Sequence, residues 1–279
     1  MNRRSFIITS AGILGTLPLY AGGSRHEPVS AMPGQVPKGW INVSPGPELQ
    51  GWTEYKWFGV AGEDWRNAHQ WHMDSATGIL LCDGLQPLSK YHSMFLMDRE
   101  WKDFIFHVEW KFTHLDQPTG YSGYNSGVFV RMKEETPDVK VMHQVETGSV
   151  LGHAGWLRGG IFDHGVVTVL DTRVRVDHEW RRVDPGFPGS WKPLIKSITP
   201  ESDPKGLKSA YDVGIRGPVY PAGEWNTYDV TCRGSRISVR TNGAASSFAD
   251  NCQVPFGRIG LECEGHRIEF RNMRVKPLS

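Results

Sequence analysis

Gly223-Glu224-Trp225-Asn226-Thr227-Tyr228 runs on through DVTCRGSRISVRTNG, residues 229–243, and then through GRIGLECEGHRIEFRNMRV, residues 257–275. Apolar and polar residues alternate within each of these words, and glycine or Asn-Gly stands between them. Period-two alternation marks a strand with one face buried, and Asn-Gly is the preferred two-residue hairpin turn because both residues tolerate positive φ. The passage describes one edge of a β-sandwich.

Composition agrees with that reading. The 279 residues include 32 glycines, 18 prolines and 11 tryptophans. Long Leu/Ala/Glu/Lys helical stretches are missing, which favours strands and turns over helices. The formal net charge is +1 and no basic block is long, so the electrostatic footprint of a nucleic-acid binder is absent. We expect an all-β, single-domain sandwich with long loops.

Upstream, Met1-Asn2-Arg3-Arg4-Ser5-Phe6 precedes an apolar run from Ile7 to Leu19 and the small residues Ala21-Gly22-Gly23. Twin arginines before a short hydrophobic segment resemble a Tat-type export signal, which places a signal peptide at 1–23 and the protein in the periplasm or outside the cell. The run is short for a membrane span, so a membrane contact is expected only if the signal stays uncleaved as an anchor. Residues 24–47 are rich in Pro, Gly and Ser and read as a linker or a strap over the domain. The domain itself is expected over 48–279, opening at Leu49-Gln50-Gly51-Trp52. Cys82, Cys232, Cys252 and Cys263 are permitted to pair in an oxidising compartment. Because Cys232 and Cys263 lie in alternating apolar strands, buried free thiols are the expectation.

Inside the domain, WHMDSATGILLCDG reads as two short strands about the turn 75–78, and the stretch from Ser93 as a turn followed by a long strand. In that strand Phe104, Phe106, Val108, Trp110 and Phe112 share one face, and Ile105, His107, Glu109 and Lys111 the other. The words NSGVFVRM and VKVMHQVETG follow, with Val128, Val130, Val141, His143 and Val145 at the apolar positions. If the apolar faces pack together, Glu109, Asn125, Arg131, Gln144 and Glu146 collect on one surface, subject to sheet register. Residues 148–222 are long and aperiodic, as functional lids or binding loops are. Only VVTVLDTRVRV and SAYDVGI within them look like strands.

Several chemistries are excluded by missing signatures. There is no G-x-S-x-G elbow, no H-E-x-x-H, no phosphate-binding glycine loop and no EF-hand. The closely spaced acids of paired-carboxylate glycosidases, E-x-D-x-x-E along one strand, are missing too.

Taken together, Gly51-Trp52, Glu109, Asn125 to Arg131, Gly223 to Asn226, Asn242-Gly243 and Glu269 to Met273 resemble, in order, the words of the 3-keto-disaccharide hydrolase (DUF1080) family. The resemblance runs over roughly residues 49 to 279, with the middle section unmatched. Two departures stand out: the family's E-x-Q stands here with Met142 at the first place and Gln144 at the second, or alternatively as an exchanged Gln144-x-Glu146, and Glu262 stands where Gln is common.

That resemblance implies a concanavalin-like jelly roll acting on a small carbohydrate, in some members on glycosides oxidised at C3. A C3 ketone acidifies the C2 proton, so a carboxylate or imidazole can remove it and expel the C1 substituent; water then adds. On this reading Glu146 or His143 is the base, Arg131 the cation that holds the enolate oxygen and Glu109 the second acid. Asn125, Gln144 and Glu262 bind hydroxyls, and Trp156 or Trp225 stacks on the sugar. Structural rivals exist for each: Arg131 paired with Glu109, His143 bonded in the core, Trp225 and Asn226 packing a corner. No cofactor is required. A divalent metal could assist the ketone, and His153 and His164 near Asp163 are the grouping that would hold one. The rival function is a non-catalytic, lectin-like sugar-binding module. Oligomeric state is not legible from the sequence.

Overall fold

The structure is a computed structural model, and it describes residues 36–56, 70–83, 93–113, 124–136, 139–147, 161–164, 171–176, 179–183, 223–252, 254–265 and 267–279. All of them belong to a unit running from Ala31 to Ser279. The signal-peptide reading of 1–23, Trp156, His153 and the SAYDVGI segment lie outside the described residues.

The described residues form two antiparallel sheets with no helix among them. The larger sheet has ten strands. Eight of them, given with the smaller sheet's strands in chain order, are β1 (Ile41–Asn42), β3 (Trp71–Asp74), β4 (Ile79–Cys82), β6 (Phe104–Phe112), β11 (Asp171–Val176), β12 (Glu179–Val183), β13 (Asn226–Arg233) and β14 (Arg236–Thr241). β15 (Ala244–Asp250) and β17 (Ile268–Pro277) complete it, in the order β12-β11-β15-β14-β13-β6-β17-β4-β3, with β1 paired to β17. The smaller sheet comprises β2 (Trp52–Lys56), β5 (Ser93–Trp101), β7 (Tyr124–Asn125), β8 (Gly127–Thr136), β9 (Val139–Glu146), β10 (Ile161–His164) and β16 (Gly257–Gly265). Its order is β10-β9-β8-β16-β5-β2, with β7 on β16. This is the jelly-roll sandwich expected from the sequence.

The core forms where the alternation said it would. Phe104, Phe106, Val108, Trp110 and Phe112 of β6 are all buried, facing Val128 and Val130 of β8 and Ile259 and Leu261 of β16 in one cluster. Each such side chain contributes about 1.5–3 kcal/mol through removal of apolar surface from water. The hairpin between β14 and β15 turns on Asn242 and Gly243, both at positive φ (46° and 81°), as a two-residue turn matched to strand twist requires. Asn242 also works sideways: its Oδ1 accepts the Thr227 N–H at 2.7 Å and its Nδ2 donates to Asn226 Oδ1 at 2.8 Å.

Three features depart from the sequence reading. β5 is a nine-residue strand rather than a turn. Its run Met94-Phe95-Leu96-Met97 is buried on both faces, because Phe95 and Met97 enter the main core while Met94 and Leu96 join Phe129 and Met132 in a second cluster on the sheet's other side. A strand covered on both sides has no alternation to read. Ordered structure also begins before Leu49: Ile41 and Asn42 pair with Val275 and Arg274, and Val43 packs on the core.

The cysteines are the third. Against the expectation of free thiols, Cys82 and Cys263 form a disulfide across 181 residues, joining β4 of one sheet to β16 of the other; Cys232 and Cys252 are the free, buried pair. Alternation placed Cys263 in the core correctly but said nothing of Cys82 facing it from the second sheet. We predict that reduction, or the Cys82→Ala/Cys263→Ala variant, lowers unfolding free energy by about 3–5 kcal/mol. Urea denaturation with and without reductant measures this, and an unchanged midpoint would contradict it.

Candidate functional site

The outer face of the seven-stranded sheet carries a polar clamp. β9 and β16 lie on either side of β8, and on them Gln144 and Glu262 reach toward each other across Gly127. Gln144 Nε2 donates to Glu262 Oε2 at 2.7 Å, with both side chains buried. A Cβ on residue 127 would stand 2.5 Å from Gln144 Nε2 and 2.7 Å from Glu262 Oε2, so only glycine lets the two groups meet there. Glycine in a strand interior often marks such a close approach.

Backbone contacts fix the floor beneath. Ser126 Oγ donates to the Glu262 carbonyl at 2.8 Å, and the Thr147 N–H donates to the Ser126 carbonyl at 3.0 Å. Register sets Glu146 opposite Gly127 and Asn125 opposite Glu264. Positions 125 and 146 thus border the clamp on the strands that form it. On the same face Met94 is in register with both Glu262 and Tyr55, and Met94, Leu96, Phe129 and Met132 are fully buried around the clamp. A buried carboxylate held by an amide among apolar side chains can bind a hydroxyl or exchange a proton out of contact with water.

The structure does not bring the whole expected set together. Glu109 lies in the ten-stranded sheet, on the face turned away from the β6 core residues, because register pairs it with Thr227 and Arg271 and not with any strand of the clamp. There it accepts from Arg271 Nε and Asn272 Nδ2, each at 2.7 Å. A bulge in β17 between Arg271 and Arg274, with Asn272 at φ 52°, lets both donors reach it. Burial alone would raise the Glu109 pKa, but the hydrogen bonds from His107, Asn272 and Arg271 and the Arg271 charge outweigh it and hold the carboxyl at about 2. His107 is buried beside it, its Nδ1 2.7 Å from Asp229 Oδ1. Burial opposes its charge, yet Asp229 and Glu109 raise its pKa overall. Trp225 belongs to this second group: Arg271 sits 3.9 Å and Lys111 4.8 Å from its ring centre. It lies over this ion-pair network, on the sheet opposite the clamp.

Arg131 is also removed from the proposed chemistry. Alternation fails at this residue because β8 bulges there and Arg131 takes φ 55°. Its guanidinium is fully buried and donates to the carbonyls of Lys102, Gly234 and Val254 and to Asp103 Oδ1, over 2.8–3.3 Å. His143 faces the interior, in keeping with its place among valines, with Nε2 2.9 Å from Cys252 Sγ. Burial raises that thiol, but His143 and the Arg131 charge outweigh it and lower its pKa. Neither Arg131 nor His143 reaches the clamp face. Arg131→Lys, which keeps the charge but loses the planar fork, is expected to cost about 3 kcal/mol in urea denaturation, because several buried carbonyls lose their donors.

One half-buried acid escaped the sequence reading. Glu54 on β2 shares the parity of Trp52, so alternation aims it inward; its polar character hid the fact. It stands opposite Phe95, which stacks between Trp52 and Trp71 at centroid distances of 5.2 and 5.0 Å. Its Oε1 has no hydrogen-bond partner among the described residues. Burial raises its pKa to about 7, opposed only in part by a hydrogen bond with Ser93. An acid whose folded pKa exceeds its unfolded value stabilises the protein fully below the unfolded pKa and loses that contribution as pH climbs through the folded one. We therefore expect Glu54 to withdraw about 3 kcal/mol of stability between pH 4.5 and about 7. Glu54→Gln should flatten that part of the stability–pH curve; a curve unchanged by the substitution would contradict the assignment. Among the described residues no group of three or more His, Cys, Asp and Glu is placed to hold a metal ion.

A search among curated proteins finds no match. Among solved structures, two proteins from Parabacteroides distasonis named provisionally as glycosyl hydrolases are similar. One is 16% identical with 86% of this chain and 95% of that chain covered at a TM-score of 0.46, the other 15% identical with 86% and 99% covered at 0.48. A carbohydrate-binding module from Bacillus subtilis is 12% identical, with 80% and 94% covered and a TM-score of 0.42. The sequence profile of one family matches residues 39–276, which include both sheets and the clamp. The chain belongs to the family of 3-keto-alpha-glucoside-1,2-lyase-like domains.

Proposed function

We propose that the protein is an exported sugar-active enzyme that cleaves the glycosidic bond of sugars already oxidised at C3. The observation that carries this reading is the family match over residues 39–276. Support for the location of the site comes from the clamp: Gln144 and Glu262 put a hydroxyl-binding amide and a carboxylate on one sheet face, with positions 125 and 146 in register beside them. Support for export comes from Arg3-Arg4 ahead of an apolar run and from the Cys82–Cys263 disulfide, which persists in oxidising compartments.

The chemistry follows from the ketone. It acidifies the proton on C2, and a carboxylate of the clamp face removes it. The enolate returns its electron pair through C2 to expel the C1 oxygen, and water adds to the resulting double bond. Since His143 and Arg131 serve the interior, the proton transfers fall to carboxyl groups, with Glu146 the residue that the sequence offers. Glu109 supports the fold of the other sheet.

The purified domain, given a matched pair of disaccharides of which one is oxidised at C3, is expected to release free sugar from the oxidised member alone, read by mass spectrometry. Glu146→Gln should reduce release by about 10²–10⁴-fold, the usual worth of a general acid or base. Binding of either sugar without turnover would replace this reading with a lectin-like one.

A further inference from the structure

We infer that Glu262 is the group that takes the C2 proton, with Gln144 as its positioning residue and Glu146 as the acid for the departing oxygen. This rests on the keto-sugar reading of the same face and adds to it the division of labour between the two acids.

The argument is geometric. Elimination from a 3-keto sugar needs one group to remove a proton from C2 and another to protonate the oxygen leaving C1. Residues on β9 and β16, separated only by β8, have their backbones about 10 Å apart, two strand spacings. Glu146 occupies the β9 position opposite Gly127, and Glu262 arrives from β16 with Oε2 directly over the same glycine. Glu146 and Glu262 thus come from strands on opposite flanks of Gly127, and a pyranose ring laid against this face would present adjacent carbons to the two strands.

The two acids are not equivalent. Glu262 Oε2 is held at 2.7 Å by Gln144 Nε2, and its backbone is pinned through Ser126 Oγ at 2.8 Å. Met94, in register with Glu262, is fully buried, as are Leu96 and Phe129 near by. A base gains from a fixed position in an apolar setting, since little reorganisation is then needed when the proton moves. Any residue larger than glycine at 127 would push amide and carboxylate apart.

The step balances. Glu262 carboxylate takes the C2 proton, and the C–H pair forms the C2=C3 enolate. As the C3 carbonyl re-forms, C1=C2 is made and the C1–O bond breaks. Its pair leaves on the aglycone oxygen, which takes a proton from Glu146. Addition of water reverses the roles: Glu146 carboxylate accepts a proton from water as hydroxide bonds to C1, and Glu262 returns its proton to C2.

The test follows exchange of the C2 proton of a 3-keto disaccharide in deuterated water by NMR, alongside sugar release, for the full domain. Glu262→Gln is expected to lose exchange and release together by at least about 100-fold while calorimetry shows sugar binding retained. Glu146→Gln should keep exchange and lose release. Glu262→Asp, which retains charge and withdraws the carboxylate by one methylene, should lose about 100-fold in kcat with KM little changed, and serves should the Gln variant fail to fold. Exchange at the wild-type rate in Glu262→Gln, or full kcat in Glu262→Asp, would overturn this assignment and leave the keto-sugar reading standing. Absence of both exchange and release in the wild-type protein would overturn the two together.

Discussion

The buried guanidinium of Arg131 is the interaction on which the arrangement of the sandwich depends. A charge removed from water is costly unless every donor is met, and here three backbone carbonyls and Asp103 meet it. Those acceptors lie on three separate connections: the β5–β6 turn at Lys102 and Asp103, the β13–β14 turn at Gly234, and the approach to β16 at Val254. One side chain of the smaller sheet thereby fixes two turns belonging wholly or partly to the larger. Its left-handed backbone costs about 1–2 kcal/mol, a small debit beside the bonds it allows. Gly257 is part of the same constraint, since a Cβ there would stand 2.5 Å from the Arg131 carbonyl carbon.

With β8 held in this way, the clamp above it acquires a definite geometry. The distance from β9 to β16 is set by two rows of backbone hydrogen bonds, and the lengths of Gln and Glu span it only if nothing rises from Gly127 between them. The second polar group, around Glu109 and His107, obeys the same economy on the other sheet: a β17 bulge turns two successive side chains toward one carboxylate. Among the described residues Glu109 and Glu262 are buried on opposite outer faces, Glu109 held by Arg271 and Asn272 and Glu262 Oε2 held by Gln144. Glu109, neutralised by Arg271, is suited to holding a sheet together.

Strand parity was legible wherever one face is covered and the other is not. β6, β13, β14 and the β3–β4 hairpin could be read from alternation, and Asn242-Gly243 from turn chemistry. Parity failed at β5, because a strand buried on both sides is uniformly apolar, and at Arg131, because one inserted residue reverses every side chain beyond it. The clamp was half legible. Gln144 stood out from the family's E-x-Q word and Glu262 as a departure where Gln is common, but their meeting across Gly127 depends on β9 and β16 being neighbours of β8, and strand order is not written in any one strand. Glu109 fell out of the grouping with Arg131 and Glu146 because equal parity on different sheets points in opposite directions.

The order of strands in space also constrains when the molecule can be made. β17, the last described strand in the chain, lies between β6 and β4 in the interior of the ten-stranded sheet, and β1 pairs with it. Until residues 268–277 are in place β1 lacks its hydrogen-bonding neighbour and β4 has only β3, so the larger sheet closes late in folding. The nascent chain must wait with apolar strands such as β6 unpaired on one edge, a state prone to wrong partners. Such topology makes assembly slow, because its decisive contacts are long-range.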